Sequence, residues 1–204
     1  MANILRGGFR PVRSDEFQVR KVSVASGYAP SNSCPGIASG EVVRFVTAGT
    51  VEISDAADAA AIFGVVKSVS YIGGDNRRIF GGVIPTGHTY TGNANVSNPL
   101  APIVEVWFDP DIEYEVCVAT ATTNALAYAG VGANMKLSAT SATSVSTVTR
   151  ESLRTLDGTF VAGNDQIRIL DIVRDPTNDV TSVNWRVRVG INQGFHSNFS
   201  NAGI

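Results

Sequence analysis

Few residues in this chain have the types and spacing that chemistry needs. The two histidines, His88 and His196, each lie in a Gly/Asn/Ser-rich stretch. Neither has a carboxylate or cysteine at the spacing of a metal-ligand set. Asp109-Pro110-Asp111, followed by Glu113 and Glu115, gathers acids as a calcium loop does. It lacks the sixth-position glycine and the twelfth-position acid that such a loop requires, so it reads as a turn between strands. Gly130-Val131-Gly132 carries only the start of a dinucleotide fingerprint, and no phosphate-binding GKS or GKT occurs. A serine nucleophile would need GxSxG or an equivalent setting with a base, and that pattern is absent. Glu113 and Glu115 could serve as paired carboxylates for glycoside hydrolysis, but they fall on the polar side of one strand with no aromatic subsite beside them. The residues therefore predict no catalytic, cofactor or metal site, and a protein that is not an enzyme.

Composition narrows the classes further. The chain has 204 residues and a net charge of −2, with 44% hydrophobic and 17% charged residues. That suits a sizeable core under a lightly charged surface, as in a protein packed against neighbours. No global field draws it to nucleic acid, and its one basic cluster, Arg6, Arg10 and Arg13, is accompanied only by Phe9 and Phe17. No run of eighteen apolar residues predicts a membrane span. The basic start has no apolar h-region behind it, so residence in a cytosol is the default. Cys34 and Cys117 stand far apart and read as reduced core residues.

The elements that must position any site are strands. Residues 166–193 read as two strands around the turn Asp175-Pro176-Thr177-Asn178-Asp179. In the second, Trp185, Val187, Val189 and Ile191 alternate with Arg186, Arg188 and Gly190, which places them on one buried face. The first run, Ile167 to Val173, is more continuously apolar and predicts a strand covered on both faces. Further strands are expected over 41–46, 50–53, 62–71 and 77–84. Residues 103–108 and 112–118 read as a second hairpin about the Asp-Pro-Asp turn. Short helical turns are expected over 55–61 and around Ala125–Tyr128. Residues 85–102, rich in Gly, Asn, Thr and Pro without periodicity, read as a long contact loop and a boundary between lobes. The expected fold is thus all-β: antiparallel sheets in a small barrel-like body, divided into lobes 22–98 and 99–193, with an irregular tail over 194–204.

Residues 1–21 read as an extended arm. Gly7-Gly8 and Pro11 break regular structure, leaving Ile4, Leu5, Phe9 and Val12 without a shield of their own. The expectation is that these four bury on a neighbour while Arg6, Arg10 and Arg13 pair with its carboxylates. On that reading, removing residues 1–13 leaves the body folded.

The segments GGFRPVR, SGEVVRF, IFGVVKSVSY, VEVWFDPDIEYEVC and QIRILDIVRDPTNDVTSVNWRVRVGIN occur in that order. The series resembles the head decoration, or capsid cement, proteins of tailed bacteriophages. The most specific pieces are the Asp-Pro turn followed by Tyr-Glu-Val and the hairpin closing on Trp185, Val187, Val189 and Asn192. The loop 85–102 and the tail after Gln193 depart from the pattern. The resemblance implies a structural virion protein, made in the bacterial cytoplasm and bound to the outer surface of the head. It also implies the major capsid protein and its own copies, as a homotrimer, for partners, with no nucleic acid, membrane or cofactor. Contact candidates are the arm residues Ile4, Leu5, Arg6, Phe9, Arg10, Val12 and Arg13, with Tyr90 in the loop and Phe195 and Phe199 in the tail. Two other readings stand beside it: a head fibre binding a receptor or glycan through Tyr90, Phe195 and Phe199, and a phage-borne hydrolase using Glu113 and Glu115.

Overall fold

The computed structural model describes residues 3, 7–12, 18–25, 36–46, 49–54, 61–72, 77–84, 102–138, 146, 149, 151–163 and 165–192. Strands dominate it, arranged as two antiparallel sheets. At the centre of the five-stranded first sheet is β11 (Trp185–Ile191), flanked by β8 (Tyr114–Val118) and β10 (Ile167–Ile172). β1 (Arg10–Pro11) and β9 (Asn134–Met135) form the edges. The alternation of β11 is realised: Trp185, Val187 and Val189 are fully buried and Arg188 is exposed. The expectation that β10 is covered on both faces is corrected. Its register shifts between Ile169 and Asp171, and Leu170 stands out 39% exposed at that irregularity. A bulge absorbs the surplus apolar residue without turning Ile167, Ile169 and Ile172 away from the core.

The second sheet is built on β5 (Ile62–Ile72), which pairs with β7 (Ile103–Trp107) on one side. On its other side it pairs first with β3 (Val42–Phe45) and then with β6 (Arg78–Gly81). β2 (Val19–Ser23) lies outside β7 and β4 (Val51–Ile53) outside β3. This sheet curls until its two ends touch. Val24 bridges Val51, and the Ala25 amide donates to the Val51 carbonyl at 2.9 Å, although no closed barrel forms. Inside the curl lie Phe63, Val66, Val69, Val104 and Val106, with Phe63 against Phe45 at 4.1 Å between centroids. From the opposite face Val42, Ile62, Val65 and Trp107 join the first sheet in one larger core. β5 serves both cores because successive side chains leave opposite faces of a strand.

Three expectations are revised by this topology. Residues 103–118 are not a hairpin: β7 pairs with β2 and β5, whereas β8 pairs with β1 and β11. The Asp109-Pro110-Asp111 turn therefore carries the chain from one sheet to the other. For the same reason the structure does not divide into lobes at 98/99, since β7 completes the sheet formed by the preceding strands. The third revision concerns the arm. Phe9 is 1% exposed and meets Tyr114 edge-on at 6.0 Å, inside the main core. Gly7 and Gly8 are sites of close approach, where a Cβ on Gly7 would fall 2.0 Å from the Ser152 carbonyl oxygen. Gly8 (φ 66°) packs on Gly40 (φ 82°), and the Phe9 amide donates to the Gly40 carbonyl at 2.9 Å. Residues 19–21, also assigned to the arm, belong to β2. Removing residues 1–13 would extract a core ring and an edge strand, so the deletion is expected to destabilise the body rather than leave it intact.

A buried ion pair ties the turn before β3 to the segment before the β10–β11 hairpin. The Arg154 Nε donates to Glu41 Oε1 at 2.8 Å, with both side chains almost wholly buried. Nη2 donates to the Ser54 carbonyl at 2.7 Å, Nη1 to the Ser138 carbonyl at 3.2 Å, and Ser152 Oγ to the second Glu41 oxygen at 2.7 Å. Such charges are tolerated inside a protein only when they are paired and hydrogen-bonded on this scale.

Candidate functional site

Several of the residues weighed for chemistry make structural contacts where they are described. Glu115 accepts from Arg186 Nη1 at 2.9 Å, and Arg186 Nη2 donates to Asp175 at 2.7 Å. One guanidinium thus clamps the polar face of β8 to the hairpin turn. Glu113, exposed ahead of β8, accepts the Val12 amide on its carbonyl at 2.9 Å. Gly130 follows α1 (Asn124–Ala129), capped by Thr123, and a Cβ there would strike the Phe160 ring at 2.1 Å. Gly130 makes room for that ring. Cys117 is buried in the first sheet. Among the described residues no group of three His, Cys, Asp or Glu side chains could hold a metal, and no helix is long and apolar enough to cross a membrane. His88, His196 and Cys34 lie outside the described residues, as do most of residues 55–61 and 139–150.

The turn after β10 gives a pH-dependent prediction. Asp175 is held well below the usual carboxylate range, first by the hydrogen bond from Arg186 and then by those from the Thr177 amide and hydroxyl. The folded value lies below the unfolded one. Its stabilising contribution is therefore complete above about pH 4 and diminishes as the pH falls from there towards the lowered value. Urea titrations between pH 4 and pH 2 should show wild type losing stability more steeply than Asp175→Asn. Equal slopes would mean the clamp is absent in solution.

Of the ten contact candidates, only three are described. Phe9 is core, Arg10 pairs with Glu151, and Val12 is 38% exposed at the first sheet's edge. Asn3, also described, donates from Nδ2 to the Asp179 carbonyl at 2.6 Å and accepts the Asp179 amide at 3.0 Å. Ile4, Leu5, Arg6, Arg13, Tyr90, Phe195 and Phe199 lie outside the described residues.

What sequence reasoning missed is the apolar surface elsewhere. Phe80 is 77% exposed and Ile79 39% exposed on β6, which among the described residues pairs with the second half of β5. On α1, Leu126 and Tyr128 are 58% and 62% exposed, and Val183 in the loop before β11 is 50% exposed. Arg-Ile-Phe-Gly reads from sequence as another strand; only the topology places it outside both cores. Clefts also open among the described residues. One, of about 270 Å³, opens between Pro110–Glu113 and the bulged Leu170 beside Gly190. Another, of about 460 Å³, lies between β2 and the end of β3.

No family model, no curated protein and no solved structure matches this chain.

Proposed function

We propose that this chain is a structural virion protein that docks on the outer surface of a phage head and stabilises the coat lattice. Its partners on this reading are the major capsid protein and its own copies, with the homotrimer as working form. The family resemblance supplies the class, and its segments supply the central strands β3, β5, β7, β8, β10 and β11. The observation that carries the docking claim is Phe80, a large aromatic side chain 77% exposed on a strand outside both cores. On this reading the exposed ring is the group that a partner covers. Covering one phenylalanine side chain contributes about 1.5–3 kcal/mol, and a trimer engaging several sites gains about 10²–10⁴-fold in avidity.

The test is co-sedimentation of the purified protein with expanded heads assembled without it. Wild type is expected to saturate a fixed number of lattice positions and raise the temperature at which heads release DNA. Phe80→Ser should reduce occupancy at least about tenfold while leaving the urea midpoint within about 0.5 kcal/mol of wild type. Wild-type protein that stays in the supernatant at every concentration would refute the head-docking reading.

A further inference from the structure

Successive side chains leave opposite faces of a strand, so the pairing registers sort the residues of the second sheet by face. One face lies inside the curl and carries Val66, Val69, Val104 and Val106. On the other, Phe80 stands opposite Ser70, and Ser70 opposite Ile103. Arg78 shares that outer face, since its Nη1 donates to Ser70 Oγ at 3.2 Å. The neighbouring row is charged. Lys21 is the register partner of Glu105, and Glu105 that of Ser68, whose hydroxyl donates to the carboxylate at 2.7 Å. The register between β5 and β7 shifts between Val66 and Ser68. That makes Lys67 the extra residue of a bulge and sets it beside Ser68 against Glu105. The Ser68 hydroxyl first, and then the Lys21 and Lys67 ammoniums, hold Glu105 below the usual carboxylate range.

We infer that this outer face is the one that meets the coat, and that the coat surface it meets is acidic, with an apolar socket for Phe80 and carboxylates beside it. The inference rests on the head-docking reading above and adds the chemistry of the partner. Charge complementarity carries it. Two ammoniums share one carboxylate: Lys21 pairs with Glu105 at 3.4 Å, whereas Lys67 is exposed and has no ion pair among the described residues. The Arg78 guanidinium adds a third cation in the row next to Phe80. The chain as a whole carries −2, so this positive excess belongs to the face and not to the protein's general field. A basic partner would be repelled here, and a neutral one would cover Lys67 without a counter-charge. Exposed ion pairs at the rim of an interface set the rate and orientation of encounter more than its tightness. Phe80 therefore holds the complex and the lysines steer it, which gives the two groups separate kinetic signatures.

The test follows association and dissociation of the labelled full chain on expanded heads emptied of DNA and assembled without it. Raising the salt from about 50 mM to about 300 mM should slow association at least about fivefold and leave dissociation within about twofold. At low salt Lys67→Glu should slow association at least about fivefold, and Lys67→Ala less, with urea midpoints that match wild type. Glu105→Gln, whose amide oxygen still accepts from Ser68 Oγ, should speed association. Phe80→Ser should act on the other step and speed dissociation at least about tenfold. Salt-independent association, or both Lys67 variants associating as fast as wild type, would overturn the inference and leave head docking standing. Association that Lys67→Glu speeds would make the partner basic and overturn it equally. Capture only when DNA is added back would give the face to nucleic acid. Phe80-dependent assembly of the chain with itself, without heads, would give it to a second copy. Wild type that binds no heads would refute the docking reading and the inference with it.

Discussion

Replacing Arg154 with methionine is expected to destabilise the protein by about 3–5 kcal/mol, because Glu41 would remain charged and buried without its partner. The carbonyls of Ser54 and Ser138 lose a donor in the same change. Glu41→Gln should be milder, since an amide oxygen in the place of Oε1 still accepts from Arg154 Nε and the Val42 amide while the amide nitrogen can donate to Ser152 Oγ. Combining the two should recover a large part of the Arg154→Met loss, since no isolated charge then remains inside. A double-mutant cycle from urea midpoints, with m-values unchanged, measures the coupling. Strict additivity would show that the pair is solvated in solution and ties nothing together.

Trp185→Ala is expected to cost about 3–5 kcal/mol, the range for emptying an aromatic site in a packed core. The indole is fully buried, its Nε1 donates to the Thr120 carbonyl at 2.7 Å, and Phe160 lies tilted against it at 6.4 Å. Truncation therefore leaves a cavity in the main core and an acceptor without its donor. Trp185→Phe divides the two effects: it keeps a ring in place and removes the donor, worth about 0.5–1.5 kcal/mol, in addition to the smaller ring's packing loss. If Trp185→Ala moves the midpoint no more than Thr181→Ala on the exposed turn, the register of β11 is wrong.

Local patterns were legible wherever one strand face is buried. β3, β5, β7, β8, β10 and β11 fall where the runs of apolar residues placed them, because alternation reports on a residue's two immediate surroundings, and α1 falls on the helical turn expected around Ala125–Tyr128. Pairing was another matter. A tight turn between two strands argues for a hairpin, yet Asp109-Pro110-Asp111 links different sheets, and nothing local distinguishes those cases. Phe9 was misplaced for a related reason. Gly7-Gly8 signalled a break in regular structure, whereas the distant Gly40 and Ser152 need that narrow backbone for contact. Glu41 and Arg154 lie too far apart in sequence for composition or spacing to join them. The bulge at Leu170 was hidden because its surplus residue is apolar. As for the surface, an exposed phenylalanine and a buried one look alike in a sequence.

The order of strands in the first sheet also bears on how the chain is made. β11 pairs with β8 on one side and β10 on the other, and β8 in turn holds β1. As the protein leaves the ribosome, β1 and β8 appear long before the strand that joins them to β10. At 5–20 residues per second the interval between Val118 and Ile191 is about 4–15 s. During that time Tyr114, Val116 and Val118 lack the neighbouring strand that later covers them, and Phe9 has only part of its pocket. A nascent chain in this state offers a sticky, half-built sheet to every other copy on the same message. Yield in a recombinant host should therefore respond to chaperone level and growth temperature more than to the stability of the finished fold.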